Sequence, residues 1–156
     1  MTRPTSLDLP AEGLMARIVR PNIAVTSALE EITGAAGIGL ADYLVLSVIR
    51  RSPGGRSAPS AICEVLGRTS GGTSLALNRL EAAGWVRRAL DRTDRRRVIV
   101  SLSPSGLRLA SRVNDALHVW EQSLDLPGDR DAIHRVIDDL AAAVAAAGLP
   151  PAERAS

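Results

Sequence analysis

Two glycines constrain this chain more than any other feature. Gly67 follows the segment "SAICEVL" and Gly84 follows "SGGTSLALNRLEAA", each where a helix must end and the backbone reverse. Pro59 opens the first segment, whose Ile62, Val65 and Leu66 are expected to point inward. Only Arg68 and Thr69 then separate Gly67 from the second segment, Ser70 to Ala83, with Thr69 as its N-cap. Helical spacing turns Thr73, Ala76, Leu77 and Leu80 inward and leaves Ser70, Gly71, Ser74, Leu75, Asn78 and Arg79 outward. Two helices joined by so short a turn, the second amphipathic, predict a helix-turn-helix.

Beyond Gly84 the hydrophobic period changes. "WVRRAL" and "RRVIVSL" alternate with period two, and between them lies a charged tip, Asp91 to Arg97, holding four arginines and two aspartates. Val86, Arg88 and Leu90 share one face, as do Val98, Val100 and Leu102 of the partner strand, which predicts a β-hairpin. Ser103 and Pro104 form a helix start. That helix is striped by Leu109, Val113, Leu117, Trp120 and Leu124, and a last one, Asp129 to Ala147, by Ile133, Val136, Ile137, Leu140 and Val144. Upstream, a helix from Asp8 to about Thr33 carries Leu14, Ile18, Val25, Leu29 and Ile32, and Pro21 is expected to kink or interrupt it. "LADYLVLSVIRR" reads as a buried helix and "SPGGRSAPS" as a loop. The expected fold is mainly α with a small β-hairpin wing: a winged helix-turn-helix over 38–103, framed by further helices.

Charge agrees with that order. The formal net charge of the 156 residues is only +2, but residues 68–112 hold ten arginines against three acids, a surplus of +7 inside an otherwise acidic chain. Such a block is the footprint of a surface for a polyanion. All 19 cationic side chains are arginine, which coding bias alone can produce. The single cysteine, Cys63, excludes an internal disulfide and suits a reducing cytosol. The opening "MTRPTSLDLP" has no apolar segment of a leader, and "LAAAVAAAGL" is too short for a membrane span, so a cytoplasmic protein without membrane contact is expected. Paired carboxylates in a cleft, a nucleophile elbow, a phosphate loop and metal-ligand spacing are all missing, which argues against an enzyme and against a cofactor or metal.

The stretch "SGGTSLALNRLEAAGWVRRALDRTDRRRVIVSLSPSGLRL" resembles the MarR family of bacterial transcription regulators in its recognition helix, its "RLEAAGWVRR" exit, its "DRTDRR" wing and its "LSPSG" helix start. The resemblance implies a homodimer on double-stranded DNA with a pseudo-palindromic operator, dimerising through helices in 8–34 and 104–148, with 1–7 and 149–156 as disordered tails. The residues it assigns to DNA are Thr69, Ser70, Gly71, Gly72, Ser74, Leu75, Asn78 and Arg79 for the major groove. Arg96 would enter the minor groove, buttressed by Asp94, while Arg87, Arg88, Arg95 and Arg97 neutralise phosphates. Leu75 stands where relatives often carry a basic or polar residue, and Arg97 where they carry a small apolar one. A repressor released by a small-molecule effector is implied, with the ligand-binding residues unknown.

Blander readings apply to the remaining chemistry-bearing residues. Cys63 is read as a core residue before a redox switch, and His118 and His134, sixteen residues apart on the two last helices with no nearby ligand spacing, are not read as metal ligands. Trp85 and Trp120 are read as filling core or interface space, and Arg17 and Arg20 as solvated or in ion pairs rather than facing a ligand. The alternative function is a winged-helix protein-interaction module that does not bind DNA specifically.

Overall fold

The computed structural model describes residues 13–91, 94–126 and 128–148. Among these residues it contains six α-helices: α1 Leu14–Ala35, α2 Leu40–Arg51, α3 Pro59–Leu66, α4 Ser70–Ala82, α5 Pro104–Gln122 and α6 Arg130–Ala147. Strands β1 Arg56–Ser57, β2 Val86–Leu90 and β3 Val98–Leu102 form an antiparallel sheet in the order β1-β3-β2. The chain divides into two compact units, residues 1–119 and 120–156. The expected tails, and residues 8–12 of the first expected helix, lie outside the described residues.

The core of the first unit joins every element that presents the helix-turn-helix and the wing. Val45, Leu46 and Ile49 of α2 are fully buried together with Ile62 of α3, Leu77 and Leu80 of α4, Val86 of β2, Val100 of β3 and Val113 of α5. Burial of each such aliphatic side chain stabilises by about 1.5–3 kcal/mol, so α4 and the sheet are welded to α2 rather than hung on loops. The predicted inward set of α4, Thr73, Ala76, Leu77 and Leu80, is buried as a set. Both glycines do what their positions demand. At Gly67 (φ 59°) the Arg68 N–H donates to the Cys63 carbonyl and the Gly67 N–H to Glu64. At Gly84 (φ 73°) Trp85 and Gly84 cap Leu80 and Glu81 in the same way.

Four expectations need correction. Of the two outcomes expected at Pro21, a kink or an interruption, the interruption does not occur: α1 runs through it as one helix. Residues 19–25 are all exposed, so the Arg17 carbonyl that loses its hydrogen bond is free to accept from water. Val65 is not inward: it is 66% exposed, because the eight-residue α3 meets the core through Ile62 and Leu66. The loop 52–60 contains the third strand, whose Arg56 and Ser57 pair with Ser101 and Val100 of β3. Two residues are too few for any alternation to reveal. Finally, Leu124 lies beyond the end of α5. Trp85 packs partly buried against the core, and Cys63 is half-buried, its thiol 3.9 Å from the Thr69 carbonyl.

In the second unit, Asp129 caps α6 by accepting from the Asp131 N–H (3.0 Å), and Arg130 donates to the Leu124 carbonyl (3.1 Å). No residue of α6 is buried.

Candidate nucleic-acid interface

Recognition helix α4 begins at a well-formed cap. The Thr69 hydroxyl oxygen accepts from the Gly72 N–H at 3.2 Å, with Thr69 itself in extended conformation. The remaining first-turn amides stay available to an anion, at the helix end where the backbone dipole is positive. Along this helix Gly72 and the six residues expected to face outward, Ser70, Gly71, Ser74, Leu75, Asn78 and Arg79, are all exposed. All but the last are small or of moderate size, so the helix can sit deep in a groove about 12 Å wide. Leu75 is 63% exposed and offers a methyl-bearing contact in the middle of that face.

The wing tip is organised by its two aspartates. Asp91 N–H donates to the Arg97 carbonyl (2.8 Å) and Arg97 N–H to the Asp94 carbonyl (2.9 Å), closing the hairpin. The Asp94 carboxylate accepts from the backbone N–H of Arg96 at 3.0 Å. Asp94 thus supports Arg96 through the main chain, shaping the turn from which the guanidinium projects. Arg95, Arg96 and Arg97 are all exposed at that turn.

The ten arginines of 68–112 do not act alike, and the sequence did not separate them. Arg79 is held by Asp42 of α2 in a two-pronged contact, Nη2 to Oδ1 at 2.6 Å and Nε to Oδ2 at 3.1 Å. That carboxylate raises the pKa of Arg79 above its ordinary value, first through the hydrogen bond and then through charge. Arg88 of β2 pairs with Glu81 of α4 at 3.0 Å, tying wing to recognition helix. Arg68 donates to the Ala41 carbonyl (3.2 Å) and Arg112 to the Ala36 carbonyl (2.9 Å). Arg87, Arg95, Arg96, Arg97 and Arg108 are exposed and have no ion-pair partner among the described residues. Asp42 and Glu81 are the residues that sequence reasoning missed. Asp42 is 37 residues from its partner and left no spacing signal, whereas Glu81 and Arg88, seven apart across Gly84, could have been paired once the hairpin was drawn.

The wing is joined to α5 by a tight corner. Ser103 Oγ accepts from the Gly106 N–H (3.0 Å) and donates to the Gly84 carbonyl (2.6 Å), while the Ser103 N–H donates to the Trp85 carbonyl (2.9 Å). Turn glycine, wing base and the first turn of the following helix are thereby tied together. Among the described residues no group of three or more His, Cys, Asp or Glu side chains could hold a metal ion, and no single helix is long and apolar enough to cross a membrane.

An N-capped helix at the exit of a helix-turn-helix, flanked by a two-stranded arginine-tipped hairpin on one core, defines a winged helix-turn-helix protein. Residues 36–97 match the model of the MarR family. Over 111 residues the chain is 29% identical to the HTH-type transcriptional regulator PapX of Escherichia coli, covering 71% of this chain and 68% of PapX. The transcriptional regulator BldR of Sulfolobus solfataricus superposes with a TM-score of 0.71 at 22% identity, covering 84% of this chain and 94% of BldR. A cysteine-to-serine mutant of Escherichia coli MarR, solved in complex with operator DNA, superposes with a TM-score of 0.69 at 23% identity over 83% of this chain and 93% of its own. Residues 36–97 thus carry the pattern of the MarR family that the motifs resembled, and the solved structures share the winged helix-turn-helix fold.

Proposed function

We propose that this protein is a homodimeric, sequence-specific DNA-binding transcription regulator. The observation that carries this reading is the pairing of a small-residue recognition face, Ser70 to Asn78, with a wing whose three consecutive tip arginines are exposed and have no ion-pair partner among the described residues. In this reading α4 enters the major groove with Ser74, Leu75 and Asn78 at the base edges and Thr69 to Gly72 at a phosphate. Arg96 enters the minor groove from the Asp94-shaped turn, and Arg87, Arg95 and Arg97 neutralise phosphates. Arg79 and Arg88 serve as braces, one fixing α4 to α2 and the other fixing the wing to α4. The MarR–operator complex, similar in fold, supports DNA as the partner.

The apolar stripes left in solvent support dimerisation through α1, α5 and α6 onto a pseudo-palindromic operator. Ile23 of α1, Val119 of α5 and Val136 of α6 are each more than half exposed in the single chain. Repression relieved by a small-molecule effector completes the proposal, with release arising from the effector's preference for a dimer whose recognition helices are misspaced.

The test is fluorescence anisotropy on labelled DNA from upstream of the protein's own gene, with an unrelated duplex as control and salt varied. The expected result is preference for the upstream DNA, a steep loss of affinity with salt, and a further loss of about tenfold or more in Arg96→Ala, the ~1.5–3 kcal/mol of a charge-assisted contact. Equal weak binding of both duplexes by wild type and mutant would instead favour the protein-interaction module.

A further inference from the structure

A cleft of about 620 Å³ opens between the end of α2, the Gly54–Gly55 turn, the edge of the wing sheet and the first turn of α5. Its size is that of a small-molecule site, for which roughly 300–1,000 Å³ is usual. It lies outside the interface described above, and neither the recognition face nor the wing tip contributes to it. Two kinds of side chain line it. Leu90, Leu102 and Leu107 form an aliphatic wall, and Leu90 and Leu107 remain 60% and 49% exposed with nothing covering them. Arg50 and Arg56 supply the charge, and no acidic side chain lines the cleft.

Neither guanidinium is neutralised. The Nη2 of Arg50 donates to a neutral acceptor, the Asn114 side-chain oxygen, at 2.7 Å, and its Nε is shut off from solvent with no hydrogen-bond partner among the described residues. Arg56 is exposed and has no ion pair among the described residues. Arg79, Arg88, Arg68 and Arg112 of this unit are met by carboxylates or carbonyls, and the unpaired Arg87, Arg95, Arg96, Arg97 and Arg108 are all exposed, whereas Arg50 is half-buried. A half-buried cation lacking a counter-charge is costly unless an anion completes it.

We propose that this cleft binds an aliphatic carboxylate, its carboxyl group between Arg50 and Arg56 and its chain along Leu90, Leu102 and Leu107. The wall contains no aromatic side chain, so stacking contributes nothing and a flexible alkyl body fits better than a flat ring. Asn114 holds one prong of Arg50 in place, which pre-orients the guanidinium for a carboxylate. As the seat of an effector the cleft rests on the regulator reading; as a binding site it does not.

The experiment titrates the full chain, free of DNA, with sodium octanoate by calorimetry, with 1-octanol and acetate as the uncharged and the chainless controls. Leucine methyl signals are followed in parallel by NMR. The expected result is saturable binding of one octanoate per chain, at least tenfold tighter than either control, with shifts at Leu90, Leu102 and Leu107. Arg56→Gln is expected to weaken binding at least fivefold and Leu107→Glu to abolish it. Both positions are exposed, and unchanged circular dichroism and melting confirm that the variants fold. Octanoate that does not saturate, octanol that binds equally well, or an affinity untouched by either substitution overturns the proposal. Because no DNA is present, such a failure is distinct from failure of the operator reading.

Discussion

Gly106 is the residue on which the joint between wing and α5 depends most sharply. A Cβ at that position would sit 1.9 Å from the Trp85 carbonyl oxygen, and backbone cannot step aside as a side-chain tip can. Gly106→Ala is therefore expected to destabilise the fold by about 3 kcal/mol or more, the upper end of overpacking costs, read as a fall in melting temperature. A variant that melts with wild type would mean that α5 can slide on the wing. Thr69 is a milder case. Removing its hydroxyl leaves the Gly72 N–H without its cap, so Thr69→Ala is expected to cost about 1 kcal/mol and Thr69→Ser to restore most of it. Denaturant midpoints separate the two variants.

At the scale of elements the question is which arginines meet DNA and which hold the reader together. A phosphate contact that is lost lowers the salt dependence of binding by about one unit of slope, whereas a lost brace leaves the slope and degrades discrimination. Arg95→Ala and Arg97→Ala are expected to reduce the slope. Arg79→Ala is expected to leave it nearly intact while narrowing the gap between operator and unrelated DNA, and Asp42→Asn is expected to do the same, since either change removes the brace at the exposed end of the α4–α2 contact. If Arg79→Ala lowers the slope and Asp42→Asn does not, Arg79 lets go of Asp42 to take a phosphate. The braces are also what the sequence concealed. Charge density marked 68–112 as basic, yet four of its ten arginines are engaged by carbonyls and carboxylates of other elements.

At the scale of the molecule, a helix with no buried residue carries an apolar stripe. Val136 is 66% exposed and Ile137 and Val144 are more than half exposed, a pattern that supports the proposed assembly. Val136→Glu combined with Ile137→Glu is expected to yield a monomer by light scattering, with operator affinity lost along with the two-site geometry. Removal of residues 130–156 is expected to do the same. A monomer that keeps wild-type operator affinity would refute the dimeric reading.

What the chain determined by itself was whatever short-range physics controls. Glycine positions ended α3 and α4, period-3.6 and period-2 patterns set α4, β2 and β3, and Ser103 with Pro104 started α5. The outward face of α4 was legible for the same reason, since a helix buried along one stripe exposes the rest. The tertiary structure decided what depends on residues distant in sequence. It recruited β1 from a loop through its pairing with β3, let α1 continue through Pro21 where solvent can satisfy the freed carbonyl, and turned Val65 outward. It also divided one basic block into braces and free cations. Periodicity reports which side of an element is apolar, but a counter-charge is assigned only when two elements meet, and the sequence holds no local trace of that meeting.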